Sequence, residues 1–299
     1  MSAWLVSLEG TEAGRQLAMA LALLAAFLHA LFGALQKGRH DPWLSRAAID
    51  ASYTVMAAPF AFFVVPWPEP HMWPIFAGAF LIHAGYKYSQ AMTYQRGAYA
   101  VVYPVVRGTG PFFAVIGAGI VFGEHFTAGQ WAGVGVLMTG IFGFAVYNLR
   151  TVTVDRETMV PALGWAVVTG AFVAAYTTYD AYGIRATADP FTFLAWFFLI
   201  DGLFMPVYTR RRWRRLPSSE IVPLLKLGVI GAVVAYLSFG SILVATRIGR
   251  VGEAAVLRET SVVFAALIAW VMLGDRVGPR RLTLMALIAA GAVIVKLTG

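Results

Sequence analysis

The chain alternates long apolar stretches with short polar breaks almost from end to end. Ten stretches, 17–35, 46–66, 72–95, 98–122, 127–148, 160–184, 190–209, 220–246, 251–273 and 279–297, each approach the ~20 residues that cross a bilayer as helix. A closed barrel is the other way to satisfy backbone groups in lipid. Its strands alternate polar and apolar positions, whereas these stretches are longer and apolar all round. The pattern predicts an all-α integral membrane protein of ten transmembrane helices.

The pattern repeats. Shifting the chain by 151 residues places Arg96 on Arg247, Arg107 on Arg258, Gly123 on Gly274, Glu124 on Asp275 and Gly140 on Gly291. Two five-helix units follow, residues 1–150 and 151–299, joined by the polar connector Asn148 to Met159. In each, an Asp-Pro step (Asp41-Pro42, Asp189-Pro190) opens the second helix, with proline at its first turn. Five being odd, the second unit enters the membrane from the face opposite the first, so the repeat is inverted. Inverted repeats set a substrate site near the midplane and allow alternating access by rocking one half on the other. Two copies are too few for a solenoid. Gly129 and Gly133 form a GxxxG that brings helices close, either within the chain or across a homodimer.

Composition strengthens this picture. The chain is 59% hydrophobic and 13% charged, against about 25% charged in soluble domains, and mean hydropathy is +0.71. With no cysteine, disulfides and thiolate metal sites are excluded. Residues 1–16 hold two glutamates and lack the basic start of a signal peptide, so the first span is expected to stay in the protein. The net charge of +8 reflects topology rather than nucleic acid, because fourteen of the 23 Lys and Arg fall in odd-numbered connections, led by the RRRWRR run Arg210 to Arg215. The positive-inside rule then puts both termini outside the cytoplasm, with the arginine run beside anionic headgroups. The short connections leave no soluble catalytic domain and no Walker loop. A non-enzyme without cofactor or metal is expected.

Ionisable groups inside spans are costly and normally face a cavity or each other, so their helical phase is informative. In the third span His83, Tyr86, Lys87, Gln90 and Tyr94 share one face; in the fourth, Tyr99, Tyr103 and Arg107 follow at steps of four, beside Gly108, Gly110 and Pro111. The sixth span adds Tyr176, Tyr179 and Asp180, and the ninth Arg258 and Glu259. These residues predict a polar chamber with aromatic walls. An arginine at mid-depth binds a carboxylate or phosphate bidentately, and tyrosines supply apolar walls, hydroxyls and cation-π faces. The competing expectation is structural pairing of Arg107, Arg258 and Lys87 with Glu259, Asp180 or Asp201. Asp50 and Asp201 are either proton carriers or satisfied buried carboxylates; of His29 and His83, the face of the third span favours His83 for the chamber. Glu253, nearer the membrane edge, is expected to pair with Arg247 or Arg250.

Ten spans in two halves, each closing its fourth helix with Gly-acid (Gly123-Glu124, Gly274-Asp275) before a glycine-rich last helix, resemble the drug/metabolite transporter superfamily, EamA type. Tyr103 to Pro111 and Leu257 to Ser261 look like the fourth- and ninth-helix motifs of a bacterial subset. The resemblance implies a secondary exporter of amino acids, other metabolites or drugs, in a bacterial cytoplasmic (inner) membrane, with aromatic amino-acid exporters as the nearest functional comparison. Within it, Arg107 and Arg258 hold an anionic group, Asp180 or Glu259 an amine, and the tyrosines the body of the substrate. Proton-coupled efflux of cationic drugs is a second reading, and a structural or assembly role in the membrane a third. Two departures stand out: Asp275 replaces the usual glutamate, and Val262 occupies the place of Pro111 in the first half.

Overall fold

Both Asp-Pro steps start helices through the same chemistry. The Asp41 carboxylate accepts from the backbone N–H groups of Trp43 and Leu44, and Asp189 accepts from Phe191 N–H, while proline occupies a position whose missing N–H costs nothing. The computed structural model describes residues 2–36, 40–97, 99–151, 156–273 and 278–299. Its helices are α1 (Ala3–Ser7), α2 (Glu12–Gln36), α3 (Pro42–Phe63), α4 (Met72–Arg96), α5 (Tyr99–Phe122), α6 (Ala128–Thr151), α7 (Arg156–Ala186), α8 (Pro190–Asp201), α9 (Phe204–Tyr208), α10 (Arg210–Trp213), α11 (Ser218–Ile248), α12 (Val251–Arg258), α13 (Ser261–Leu273) and α14 (Pro279–Leu297). There is no strand among the described residues.

Among the described residues, six stretches are long and apolar enough to cross a membrane: α2, α5, α6, α7, α8 with α9, and α11. The other four expected spans coincide with α3, α4, α12 with α13, and α14. In α3 and α4 buried charges, among them Asp50 and Lys87, lower the apolar content. The expected span 251–273 is interrupted at Glu259-Thr260, and α14 opens on Arg280 and Arg281.

Helices of the two halves interleave. α6 lies along α14, α2 along α11, α4 and α5 along α7, α3 between α8 and α11, and α12 crosses α5 and α2. Glycines permit the closest of these approaches. A Cβ at Gly291 would sit 2.5 Å from Leu137 N and 2.6 Å from Gly133 O, and one at Gly133 2.8 Å from Val295 N. The GxxxG of α6 is therefore filled by α14 of the same chain, which takes up the surface on which the homodimer expectation rests.

Connections sort onto two faces. On one, Arg247 bonds Glu9 at 2.5 Å, Arg250 bonds Glu253 at 2.8 Å, as expected for Glu253, and Thr127 reaches the carbonyl of Thr298 at 2.9 Å. On the other, Arg212 pairs with Asp41 at 2.7 Å and His40 with Glu220 at 3.0 Å. Termini and even-numbered connections thus share a face, as alternating passage requires.

Two helices that the hydropathy pattern reads as continuous are broken. α8 stops at Asp201, before Gly202-Leu203. α12 stops at Arg258, where Glu259 N–H and Thr260 N–H bond back by three residues to Val256 and Leu257, and the Thr260 hydroxyl takes the Leu257 carbonyl at 2.7 Å. The equivalent stretch of α5, with Pro104 and Pro111 inside it, stays helical. The break falls in the half without the proline, although Thr109, the counterpart of Thr260, also bonds back to carbonyls of its own helix, at 2.9 Å to Val105.

Candidate functional site

The buried charges form two groups near the breaks. In the first, Lys87 of α4 is 1% exposed, and its Nζ lies 2.7 Å from Asp50 Oδ2 of α3 and 2.9 Å from Asp201 Oδ2 of α8. It also donates to the Asp201 carbonyl at 2.7 Å, capping the end of α8, and to Tyr53 OH at 2.9 Å. Tyr53 OH donates in turn to Asp201 Oδ2 at 2.5 Å, and Arg46 Nε bonds Asp50 Oδ1 at 2.8 Å. His83 joins the group between two acids, with Nε2 2.7 Å from Asp180 Oδ2 and Nδ1 3.7 Å from Asp201 Oδ1.

In the second group, Arg107 of α5 meets Glu259 Oε1 at 2.8 Å and Ser261 Oγ at 3.4 Å. Arg258, one residue before the break, stands differently. Its guanidinium carbon lies 5.9 Å from the Tyr176 ring centroid and 5.7 Å from that of Phe239, and no carboxylate among the described residues is within ion-pair distance of it. Its Nε has no hydrogen-bond partner among the described residues, so a guanidinium set against ring faces keeps an in-plane donor available.

A cavity of about 50 Å³ lies between the two groups. Arg46, His83, Asp201 and Arg258 supply its charged wall, and Tyr53, Tyr86, Tyr176, Phe197, Phe198 and Phe239 its rings. His83 and Tyr176 lie face to face at 4.7 Å and 30°, and Phe197 stacks on Phe239 at 5.3 Å. Space for a few waters is well short of the few hundred Å³ that enclose a metabolite.

The predicted residues divide accordingly. His83, Tyr86, Tyr176 and Arg258 line the cavity. Lys87, Arg107, Asp180 and Glu259 are buried behind it in ion pairs. Gln90 donates to Tyr86 OH at 2.6 Å and so holds one wall. Tyr94 and Tyr103 pack in the hydrophobic core where α4 and α5 meet α2 and α12. Tyr179 lies apart, with Tyr182 in an apolar recess formed by α4, α5 and α7. Tyr99 opens α5, but its side chain lies outside the described residues, as do Gly274 and Asp275. Sequence reasoning missed Arg46 and Tyr53, although Arg46, Asp50 and Tyr53 keep steps of four and three on one helix face. It also passed over His29, which lines the cavity.

Residues 160–297 match the EamA-like transporter family. No curated protein sequence matches the chain. A crystal structure 18% identical in sequence shares the fold, covering 96% of this chain and 99% of that one with a TM-score of 0.72, one of 29 solved chains that match.

Proposed function

We propose, on the premise that residues 160–297 are an EamA-like transporter domain, that the protein is a secondary transporter exporting a small amphipathic metabolite, an aromatic or similar amino acid, by alternating access between inverted halves. The observation that carries this reading is the ring-lined cavity with Arg258 unpaired in its wall. An arginine without a carboxylate offers a bidentate anion site, and the rings around it accommodate an apolar body.

Packing supports the inverted arrangement. Under the 151-residue shift, α2 against α11 corresponds to α7 against α4, α3 against α11 to α8 against α4, and α2 against α13 to α7 against α5; α6–α14, α3–α8 and α5–α12 map onto themselves. The cavity draws residues from both halves, as a site between rocking units does. Within this reading Arg258 takes the anionic group that sequence reasoning divided between two arginines, because Arg107 is already neutralised by Glu259.

Counterflow in proteoliposomes, across amino acids, phosphonates and quaternary amines, tests the reading. Wild-type protein is expected to exchange an aromatic amino acid, and Arg258→Ala to lose at least tenfold of that rate. Exchange of quaternary amines alone, with Arg258→Ala unaffected, would transfer the protein to cationic-drug efflux.

A further inference from the structure

α7 and α11 both end on the face that carries the termini, and an arginine at the end of each caps the other. Arg247 of α11 donates through one terminal nitrogen to the carbonyls of Ile184, Arg185 and Thr187 at the end of α7, at 2.5, 2.8 and 2.9 Å. Arg185 of α7 donates to the carbonyls of Thr246 and Gly249 at the end of α11, at 2.9 and 2.7 Å. The last carbonyls of a helix lack partners within it, and that end favours a cation. Two carboxylates complete the clamp. Glu9, ahead of α2, takes Arg247 Nε at 2.5 Å, and Glu124, after α5, lies 3.9 Å from Arg185 while it holds the first N–H groups of α12.

The clamp lies on the terminal side of the cavity. Tyr176 and Phe239 line the cavity nine residues before Arg185 and eight before Arg247, so roughly 12–14 Å of helix separates wall from clamp. Towards the opposite face the wall is thinner, since Arg46 lines the cavity only four residues past the start of α3, about 6 Å.

Under the 151-residue shift, α7 against α11 corresponds to α2 against α4, and Arg247 to Arg96. The equivalent clamp is not made. Among the described residues, Arg96 donates only within its own turn, to the Met92 carbonyl at 3.4 Å and the Met92 sulfur at 3.0 Å, and α2 and α4 do not pack on one another as α7 and α11 do. Two pairs of helices that the repeat makes equivalent thus differ in closure, as halves that rock against each other do in any one state.

We propose that the Arg185–Arg247 clamp is the barrier between the cavity and the terminal face, and that in the alternate state it parts while Arg96 takes the carbonyls at the end of α2. The inference rests on the transporter reading above. Bonds lost at one face are replaced at the other, so the two states stay close in energy and a ligand in the cavity has only the difference to supply. Arg185 falls on Ala34 in the repeat, so the second half brings two arginines where the first brings one. The state shut towards the terminal face is therefore the resting one.

The chain has no cysteine, so a single introduced thiol reports access. Ala235→Cys places it in the cavity wall; Thr298→Cys marks the terminal face and Arg214→Cys the other. Each is reacted with a membrane-impermeant maleimide in right-side-out and inside-out vesicles. Ala235→Cys is expected to label mainly from the side that labels Arg214→Cys. Adding Arg185→Ala or Arg247→Ala is expected to raise its labelling from the Thr298→Cys side about tenfold, the shift that one or two hydrogen bonds give a two-state equilibrium. Arg96→Ala, which removes only contacts within one turn, is expected to lower labelling from that side. Should the clamp variants not fold, the direction of the Arg96→Ala change decides. Terminal-side labelling that is indifferent to Arg185→Ala and Arg247→Ala, or that rises with Arg96→Ala, overturns the inference and leaves the transporter reading in place. A thiol at position 235 that stays unreactive from both sides in every variant removes alternating access and the clamp together.

Discussion

Replacing Lys87 by methionine, a side chain of similar length without the charge, separates a structural lysine from a substrate contact. Lys87 Nζ makes ion pairs to Asp50 and Asp201 and hydrogen bonds to Tyr53 and the Asp201 carbonyl, all between 2.7 and 2.9 Å. Removing one partner from a buried ion pair costs about 3–5 kcal/mol, because the remaining charge is left uncompensated. At ~2–4 °C per kcal/mol for a chain of this general size, the variant is expected to melt roughly 6–20 °C lower. Adding Asp201→Asn restores the original charge balance, and the double variant is expected to recover at least half of that loss. Thermal unfolding of detergent-solubilised protein, followed by tryptophan fluorescence, reads both effects and needs no substrate. A Lys87→Met protein melting within 2 °C of wild type, or a double variant no more stable than the single one, would refute the charge accounting of the cluster.

Three further tests address separate parts of the fold. The Glu124 carboxylate accepts from Val251 N–H at 2.7 Å and Gly252 N–H at 2.9 Å, capping α12, so Glu124→Ala is expected to cost about 1–2 kcal/mol and to speed amide exchange at both residues; unchanged exchange would show the cap to be idle. Gly291→Ala drives a methyl into backbone atoms of α6 at 2.5–2.6 Å, while a Cβ at Gly135 meets nothing within 4 Å. Melting temperatures are therefore expected to fall for Gly291→Ala and hold for Gly135→Ala, and the reverse order would contradict the packing of α6 on α14. Single cysteines at Ser238 and Ala235, which line the cavity, are expected to react with a water-soluble maleimide when the cavity opens to admit substrate, and a cysteine at Val134, buried in the core, is not; equal labelling of all three would argue against a cavity that opens to water.

Apolar runs and glycine punctuation made the helical class and most helix ends legible, because membrane burial imposes a long, uniform pattern on sequence. Pairing of Glu253 with Arg250 and of Arg107 with Glu259 was also within reach of helical phase and the short set of available acids. The breaks after Asp201 and Arg258 were hidden, since a hydropathy average over ~20 residues passes through a two-residue interruption. Tyr179 illustrates a different difficulty. It lies three residues from inward-facing Tyr176 and next to inward-facing Asp180, at the edge of the polar stripe, and only the neighbouring helices decide that it turns to the apolar recess. Arg46 falls at the start of a span, where hydropathy alone reads it as a loop charge, although its spacing to Asp50 and Tyr53 marks a buried face.

The eight residues of α12 join two chemistries at the ends of one rigid rod. At its start, backbone N–H groups are held by the Glu124 carboxylate, on the face where both termini lie; at its end stands Arg258, in the cavity wall. At 1.5 Å per residue the rod is about 12 Å long, so a tilt of about 10° pivoting at the Glu124 end carries Arg258 roughly 2 Å. Its far end passes into α13 through the turn at Glu259-Thr260, which three-residue hydrogen bonds close on both sides. One short helix thus ties the carboxylate cap on the terminal face to the arginine of the cavity wall, so Glu124 and Arg258 share a single rigid support.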